Sequence, residues 1–216
     1  MPEKRMLSMK RGCIHPICLL ITIVYRSIMN WILDSCTLIY LIKARLFQQF
    51  MKYLNDPVII DTSVYEEVIT KGKERNYPDA SEAERRLEQY NIPIIPIDID
   101  PELKYFIDPG EASCYMLAKQ GGICLTSDER AYKKIKGRKT MVMKIDDFYF
   151  QLYLAKKIAE EEFFSILHEL EQVYAIHPKI TNFYYQRLKR EKKNDARDLN
   201  SFKERRIGPI KSNSKE

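Results

Sequence analysis

The chain has 216 residues, 45% of them hydrophobic, and a formal net charge of +6. That size holds one domain with a real core, with or without extensions, and most of it is expected to fold. Five cysteines (Cys13, Cys18, Cys36, Cys114 and Cys124) include no CxxC spacing and no paired framework, which argues against a zinc site and a disulfide scaffold and fits a reducing, cytoplasmic setting.

The charge is uneven along the chain. Residues 1–28 carry five Lys/Arg against one acid, residues 29–186 carry 20 against 24, and residues 187–216 carry 11 against five. An acidic middle between basic ends suits an anionic metal site flanked by segments that attract a polyanion, although a basic tail is as readily a plain solvated end. In residues 1–28 a basic start (Lys4, Arg5, Lys10, Arg11) precedes an apolar run from Ile17 to Val24. The run is shorter than the roughly 20 apolar residues of a membrane span. No small-residue cleavage site follows it. Met29 stands directly before the first strand, so residues 1–28 are expected to be a mis-assigned start and a membrane anchor is not expected.

From Trp31 short apolar runs alternate with helical patterns. Strands are predicted at Trp31–Asp34, Val58–Ile60, Ile92–Ile97, Ile123–Thr126 and Met141–Ile145. Pro93 and Pro96 demote the third to an edge. Helices are predicted over 36–54, where Leu38, Ile42, Leu46 and Phe50 share one stripe, over 63–70 with an end near Gly72, over 79–90, over 109–120 and over 128–136. The alternation implies an α/β domain at 29–146, a parallel sheet covered by helices on both faces. Three further helices follow at 147–159, 160–174 and 178–190, and a basic tail at 191–216 is expected to be disordered or loosely helical.

Four carboxylates carry the chemistry. Asp34 and Asp128 each follow a buried strand, and a carboxylate there points into the crevice where α/β folds bind ligands. In the flavodoxin-like order 3-2-1-4-5 the first and fourth strands are neighbours, so these two aspartates face each other. Each also fits as the cap of the next helix, a role Ser35 and Ser127 could share. Ser63-x-x-Glu66 has the spacing of a capping box, which would occupy Glu66 and leave Glu67 for the crevice. Asp108-Pro109-Gly110-Glu111 has the same spacing, and capping accounts for Glu111 as well as a site does. Gly110 beside it permits a close approach to the backbone. Converging, the four acids would form a hard, oxygen-only site suited to Mg²⁺ or Mn²⁺.

Asp34-Ser35, Val64-Tyr65-Glu66-Glu67-Val68, Gly110-Glu111-Ala112 and Thr126-Ser127-Asp128, in that order and in register with the βα pattern, resemble the PIN-domain ribonucleases, in particular VapC-type toxins and their relatives. The resemblance spans about 31–190. It implies a PIN-like three-layer α/β/α fold with about five parallel strands in the order 3-2-1-4-5, and Mg²⁺- or Mn²⁺-dependent cleavage of RNA. It also implies that Asp34, Glu111 and Asp128 ligate the metal, that Glu67 holds a second ion or a water, and that Ser35, Thr126 and Glu129 support the ligands. Arg130, Lys133 and Lys134 are candidate RNA contacts, or equally a solvated helix face. An antitoxin partner and a homodimer follow from the likeness as expectations. The sequence departs from the pattern at Glu129, where relatives have a second Asp, and at Lys144-Ile145-Asp146, where they often have Gly-Thr. The competing functions are a housekeeping RNA-processing nuclease and a PIN-fold RNA-binding protein without turnover.

Overall fold

The computed structural model describes residues 29–106 and 108–206, with 194–206 as backbone alone; the expected mis-assigned start at 1–28 and residues 207–216 lie outside the described residues. Five short strands form one parallel sheet: β1 Asn30–Leu33, β2 Val58–Asp61, β3 Ile94–Ile95, β4 Gly122–Thr126 and β5 Val142–Lys144, in the order 3-2-1-4-5. β1 pairs with β4 from Asn30↔Gly122 to Leu33↔Leu125, and with β2 through Trp31↔Val58. The β1 and β2 residues Ile32, Leu33 and Ile60 are fully buried, as expected of parallel strands covered on both faces.

The helices are α1 Ser35–Lys43, α2 Phe47–Tyr53, α3 Thr62–Tyr65, α4 Lys71–Glu74, α5 Pro78–Gln89, α6 Pro109–Lys119, α7 Glu129–Gly137, α8 Ile145–Leu154, α9 Glu160–Gln172 and α10 Pro178–Arg206. A π-helical segment, Glu66–Thr70, joins α3 to α4. The helix predicted over 36–54 is two helices. Arg45 takes the left-handed conformation (φ 58°), and Leu46 N–H donates to Leu41 C=O while Arg45 N–H donates to Ile42 C=O. That is a Schellman closure made without glycine. Nor does Gly72 end its helix, which continues to Glu74. A Cβ at Gly72 would lie 2.8 Å from the Ala80 methyl, so this glycine serves a close helix crossing. α10 runs past Arg190, where the loss of apolar residues predicted its end.

α8 to α10 share one core with the sheet. Phe148 on α8 packs edge-on against Trp31 of β1, ring centroids 5.3 Å apart, and against Phe50 of α2 at 5.1 Å. Phe163 on α9 is fully buried among Phe150, Tyr153, Phe164 and Tyr184.

Gly122 opens β4 beside β1, where a Cβ would meet the Ile32 side chain and stand 2.8 Å from the Asn30 carbonyl oxygen. Backbone on the neighbouring strand cannot yield as a side-chain end can. Gly122→Ala is therefore expected to cost about 1–3 kcal/mol, the range for overpacking, as a lower urea midpoint with an unchanged slope.

Candidate active site

Asp34 leaves β1 and caps α1: Oδ1 accepts from the Thr37 N–H at 2.7 Å, and Oδ2 accepts from the Thr126 hydroxyl. Asp128 caps α7, with Oδ1 accepting from the N–H groups of Arg130 (2.6 Å) and Ala131 (2.9 Å). Thr126 Oγ1 in turn accepts from the Asp128 N–H at 3.0 Å, so one buried hydroxyl ties the two aspartates together. The capping roles belong to the aspartates, and neither Ser35 nor Ser127 caps the helix after it. Capping engages one oxygen of Asp128; among the described residues no hydrogen bond engages the other.

Glu67 enters the cleft, but not for the reason the spacing offered. Ser63 is no N-cap; Asp61 is, accepting from the Ser63 N–H at 2.7 Å and from its hydroxyl. No capping box engages Glu66. Both glutamates are exposed, and it is Glu67 Oε2 that accepts from the Ser35 hydroxyl at 2.6 Å. At α6 Asp108 is the N-cap, accepting from the Glu111 N–H at 3.1 Å. The return half of that box is absent, because the Glu111 carboxylate pairs with Lys134 at 2.9 Å.

These groups surround one cleft of about 70 Å³, lined by Asp34, Ser35, Cys36, Glu67, Asp108, Gly110, Glu111, Asp128 and Ala131. It is far below the roughly 300 Å³ of a small-molecule pocket and of the order needed for an ion with a few waters, each about 30 Å³ in the liquid. Gly110 keeps it open: a Cβ there would stand 3.1 Å from Asp108 Oδ1, 3.6 Å from Glu67 Oε2 and 3.7 Å from Ser35 Oγ. The donors are hard oxygens, matching a divalent cation such as Mg²⁺ or Mn²⁺. As the side chains stand, however, no group of three or more His, Cys, Asp or Glu among the described residues is arranged to hold a metal ion. Glu111 turns to Lys134 and Glu67 to Ser35, so closing on an ion requires these two long side chains to swing.

Burial pushes Asp34 up to about 6, reinforced by the charge of Asp128 and opposed by the hydrogen bonds from Thr126 and Thr37. Burial, then the negative charges of Asp34, Asp128, Glu67 and Asp108, push the Cys36 thiol up to about 12. Cys36 is thus a neutral thiol at ordinary pH and no nucleophile. Cys36 and Asp108 are cleft residues that the sequence did not single out as such. Each stands within three residues of a named acid, in the first turn or cap of the same helix, and helix geometry could have found them.

Other candidates lie apart from the cleft. Glu129 is exposed and pairs with Lys144 (2.9 Å) and Lys133 (3.2 Å). Arg130 reaches Asp128 through its backbone only. The Lys144-Ile145-Asp146 departure serves the C-terminal helices: Asp146 is buried, and the Tyr184 hydroxyl of α10 lies within hydrogen-bond reach of Asp146 Oδ2 (3.1 Å) and Asp147 Oδ1 (2.9 Å).

No curated protein matches the chain. Among solved structures, a domain of a functionally unknown protein from Methanocaldococcus jannaschii is 20% identical with a TM-score of 0.40, the match covering 54% of this chain and 91% of that one. PAE2754 from Pyrobaculum aerophilum is 18% identical with a TM-score of 0.43, covering 61% and 96%. The family model described as DUF3368, PIN domain, matches residues 30–142. That span is just over half of the chain and contains Asp34, Glu67, Glu111 and Asp128, and the protein belongs to the PIN-domain family.

Proposed function

We propose that the protein is a divalent-cation-dependent endoribonuclease. The observation that carries this is the convergence of Asp34 and Asp128, from the neighbouring strands β1 and β4 and joined through Thr126, with Glu67 and Glu111 on one small oxygen-lined cleft. Asp34, Asp128 and Glu111 would hold the ion. When bound, it supplies Lewis-acid stabilisation of the charge that builds on the phosphate oxygens and acidifies the attacking water. Thr126 fixes the orientation of Asp34. Glu67, now held by the Ser35 hydroxyl, would swing towards the ion, orient the water and take its proton. Lys134 neutralises Glu111 until the carboxylate turns inward.

Single-stranded RNA incubated with the purified protein is expected to be cut with Mg²⁺ or Mn²⁺, and not with excess chelator. Glu111→Gln is expected to raise the ion concentration needed for half-maximal rate. Cleavage indifferent to chelator sinks the proposal, as does a folded protein inert with both ions.

The cellular role we infer is that of a toxin, opposed by an antitoxin segment laid across the cleft, in a homodimer, in the cytoplasm. No helix among the described residues is long and apolar enough to cross a membrane. Growth arrest on expression, relieved by Asp34→Asn, tests that role against RNA processing. The Glu111–Lys134 pair favours a second reading, an RNA-binding protein without turnover. A cation titration in which Glu111→Gln changes nothing would favour it.

A further inference from the structure

A ladder of cations and aromatic rings begins at the cleft. Lys134, paired with Glu111, has its Nζ 4.6 Å from the centre of the Phe106 ring. Phe106 is fully buried and stacks on Tyr115, centroids 5.1 Å apart. The Arg138 guanidinium lies 5.1 Å from Phe106, 5.4 Å from Tyr115 and 4.2 Å from Tyr105. Lys104 stands over Tyr105 at 4.8 Å and Lys119 over Tyr115 at 5.8 Å. The surrounding acid is Glu102, 3.6 Å from Arg138 and 3.9 Å from Lys119.

Core packing explains Phe106 and Tyr115, which are buried, but leaves Tyr105 unexplained. The residue is 48% exposed, on the segment between the 3₁₀ turn Asp100–Glu102 and α6. Among the described residues no hydrogen bond engages the Tyr105 hydroxyl or the Arg138 guanidinium. An exposed ring backed by a guanidinium, with two lysines alongside, has the chemistry that binds single strands: bases stack on the ring, and the cations meet phosphates. The cleft needs such a neighbour, because its own carboxylates repel a polyanion.

We infer that a single-stranded segment of the RNA substrate crosses this ladder, one base stacked on Tyr105 and its phosphates met by Arg138, Lys104 and Lys119, so that the strand is delivered past Lys134 to Glu111. The inference rests on the nuclease reading above for its substrate. Lys134 then meets the phosphate nearest the cleft when Glu111 turns to an ion.

The test is fluorescence anisotropy with a labelled single-stranded oligoribonucleotide, in chelator so that no cleavage intervenes. Tyr105→Leu is expected to weaken binding about tenfold, the scale of one lost base–aromatic stack. Tyr105→Phe is expected to bind as the wild type does, and Arg138→Gln to lower the salt dependence of binding by about one phosphate contact. Phe183→Leu, at an exposed ring on α10, is expected to change nothing. Melting curves of the Tyr105 variants should overlay the wild type, since the residue is exposed and outside the buried core. In cleavage assays the Tyr105→Leu defect should fall on KM and spare kcat.

A wild type that cleaves RNA while Tyr105→Leu leaves both binding and KM unchanged overturns the inference and leaves the nuclease reading standing. Binding that depends on Tyr105 in a protein that cleaves nothing supports the inference and overturns the nuclease reading. A wild type that neither binds nor cleaves overturns both. An acidic peptide held through Tyr105, with no RNA bound, overturns the inference in favour of a protein partner.

Discussion

Asp34→Asn is expected to lower the rate of RNA cleavage by about 10³-fold, taking the ion's transition-state stabilisation as several kcal/mol and each ~1.4 kcal/mol as a factor of ten. The same substitution is expected to make the protein more stable. Asn is nearly isosteric, can still accept from the Thr37 N–H, and can meet the Thr126 hydroxyl with its amide. It also removes a buried charge. The carboxyl of Asp34 titrates at about 6 in the fold against an ordinary 3.8. A raised carboxyl stabilises the fold fully only while protonated, below about 3.8, and that contribution is lost as pH climbs through about 6. At neutral pH and without an ion the wild type therefore carries a burden of roughly 2–3 kcal/mol at about 1.36 kcal/mol per pKa unit. In chelator at pH 7.5 the variant should melt about 5 °C higher. The gap should narrow as pH falls towards 4, and Mg²⁺ should raise the wild-type melting point while leaving the variant's in place. A variant that loses activity together with several degrees of stability would show that Asp34 holds the fold, and the active-site assignment would lose its main support.

Phe163→Ala is expected to have the largest effect on stability, about 3–5 kcal/mol, the range for removing a buried aromatic ring. Phe163 has no solvent exposure and lies within 5.3–5.7 Å, centroid to centroid, of Phe150, Tyr153, Phe164 and Tyr184. Phe150 comes from α8, Phe164 from α9 itself and Tyr184 from α10, so one truncation empties the point where three helices meet. Collapse is hard there, because Tyr184 is also held by Asp146 and Asp147. The urea midpoint should fall with the slope unchanged, and a protease should cut α10 earlier. A loss below about 1 kcal/mol would mean that the three helices do not unfold with the sheet.

Much of the fold was legible because parallel strands are short apolar runs and right-handed crossovers leave few orders for five of them. The strands were placed close to their true positions, and the order 3-2-1-4-5 put Asp34 beside Asp128. Helix ends were harder. Among the described residues six non-glycine residues take positive φ (Arg45, Asn76, Asn91, Lys139, Lys156 and Tyr174), each just past the end of a helix where glycine would be the usual signal. Only Asn76 and Asn91 carry a sequence signal for that conformation. The apolar stripe through Leu46 and Phe50 runs on across the break at Arg45, which hid it. At the site, Glu67 was named on the likeness of residues 64–68 to the family pattern and on a capping box that does not form. Asp61 takes the cap, and nothing in Glu66–Thr70 announces a π-helical segment. The Glu111–Lys134 pair spans 23 residues, and no local pattern reports it.

The edges of the sheet limit how two copies of this chain can meet. β3 is two residues long and flanked by Pro93 and Pro96, and β5 is three. Neither offers enough free backbone N–H and C=O groups to recruit a strand from another molecule. While the fold is intact, the described residues therefore offer no long strand edge for another chain to extend. Among the described residues the surfaces left for pairing two copies are those of helices and loops, whose side chains can be changed one at a time without disturbing the strands that carry Asp34 and Asp128.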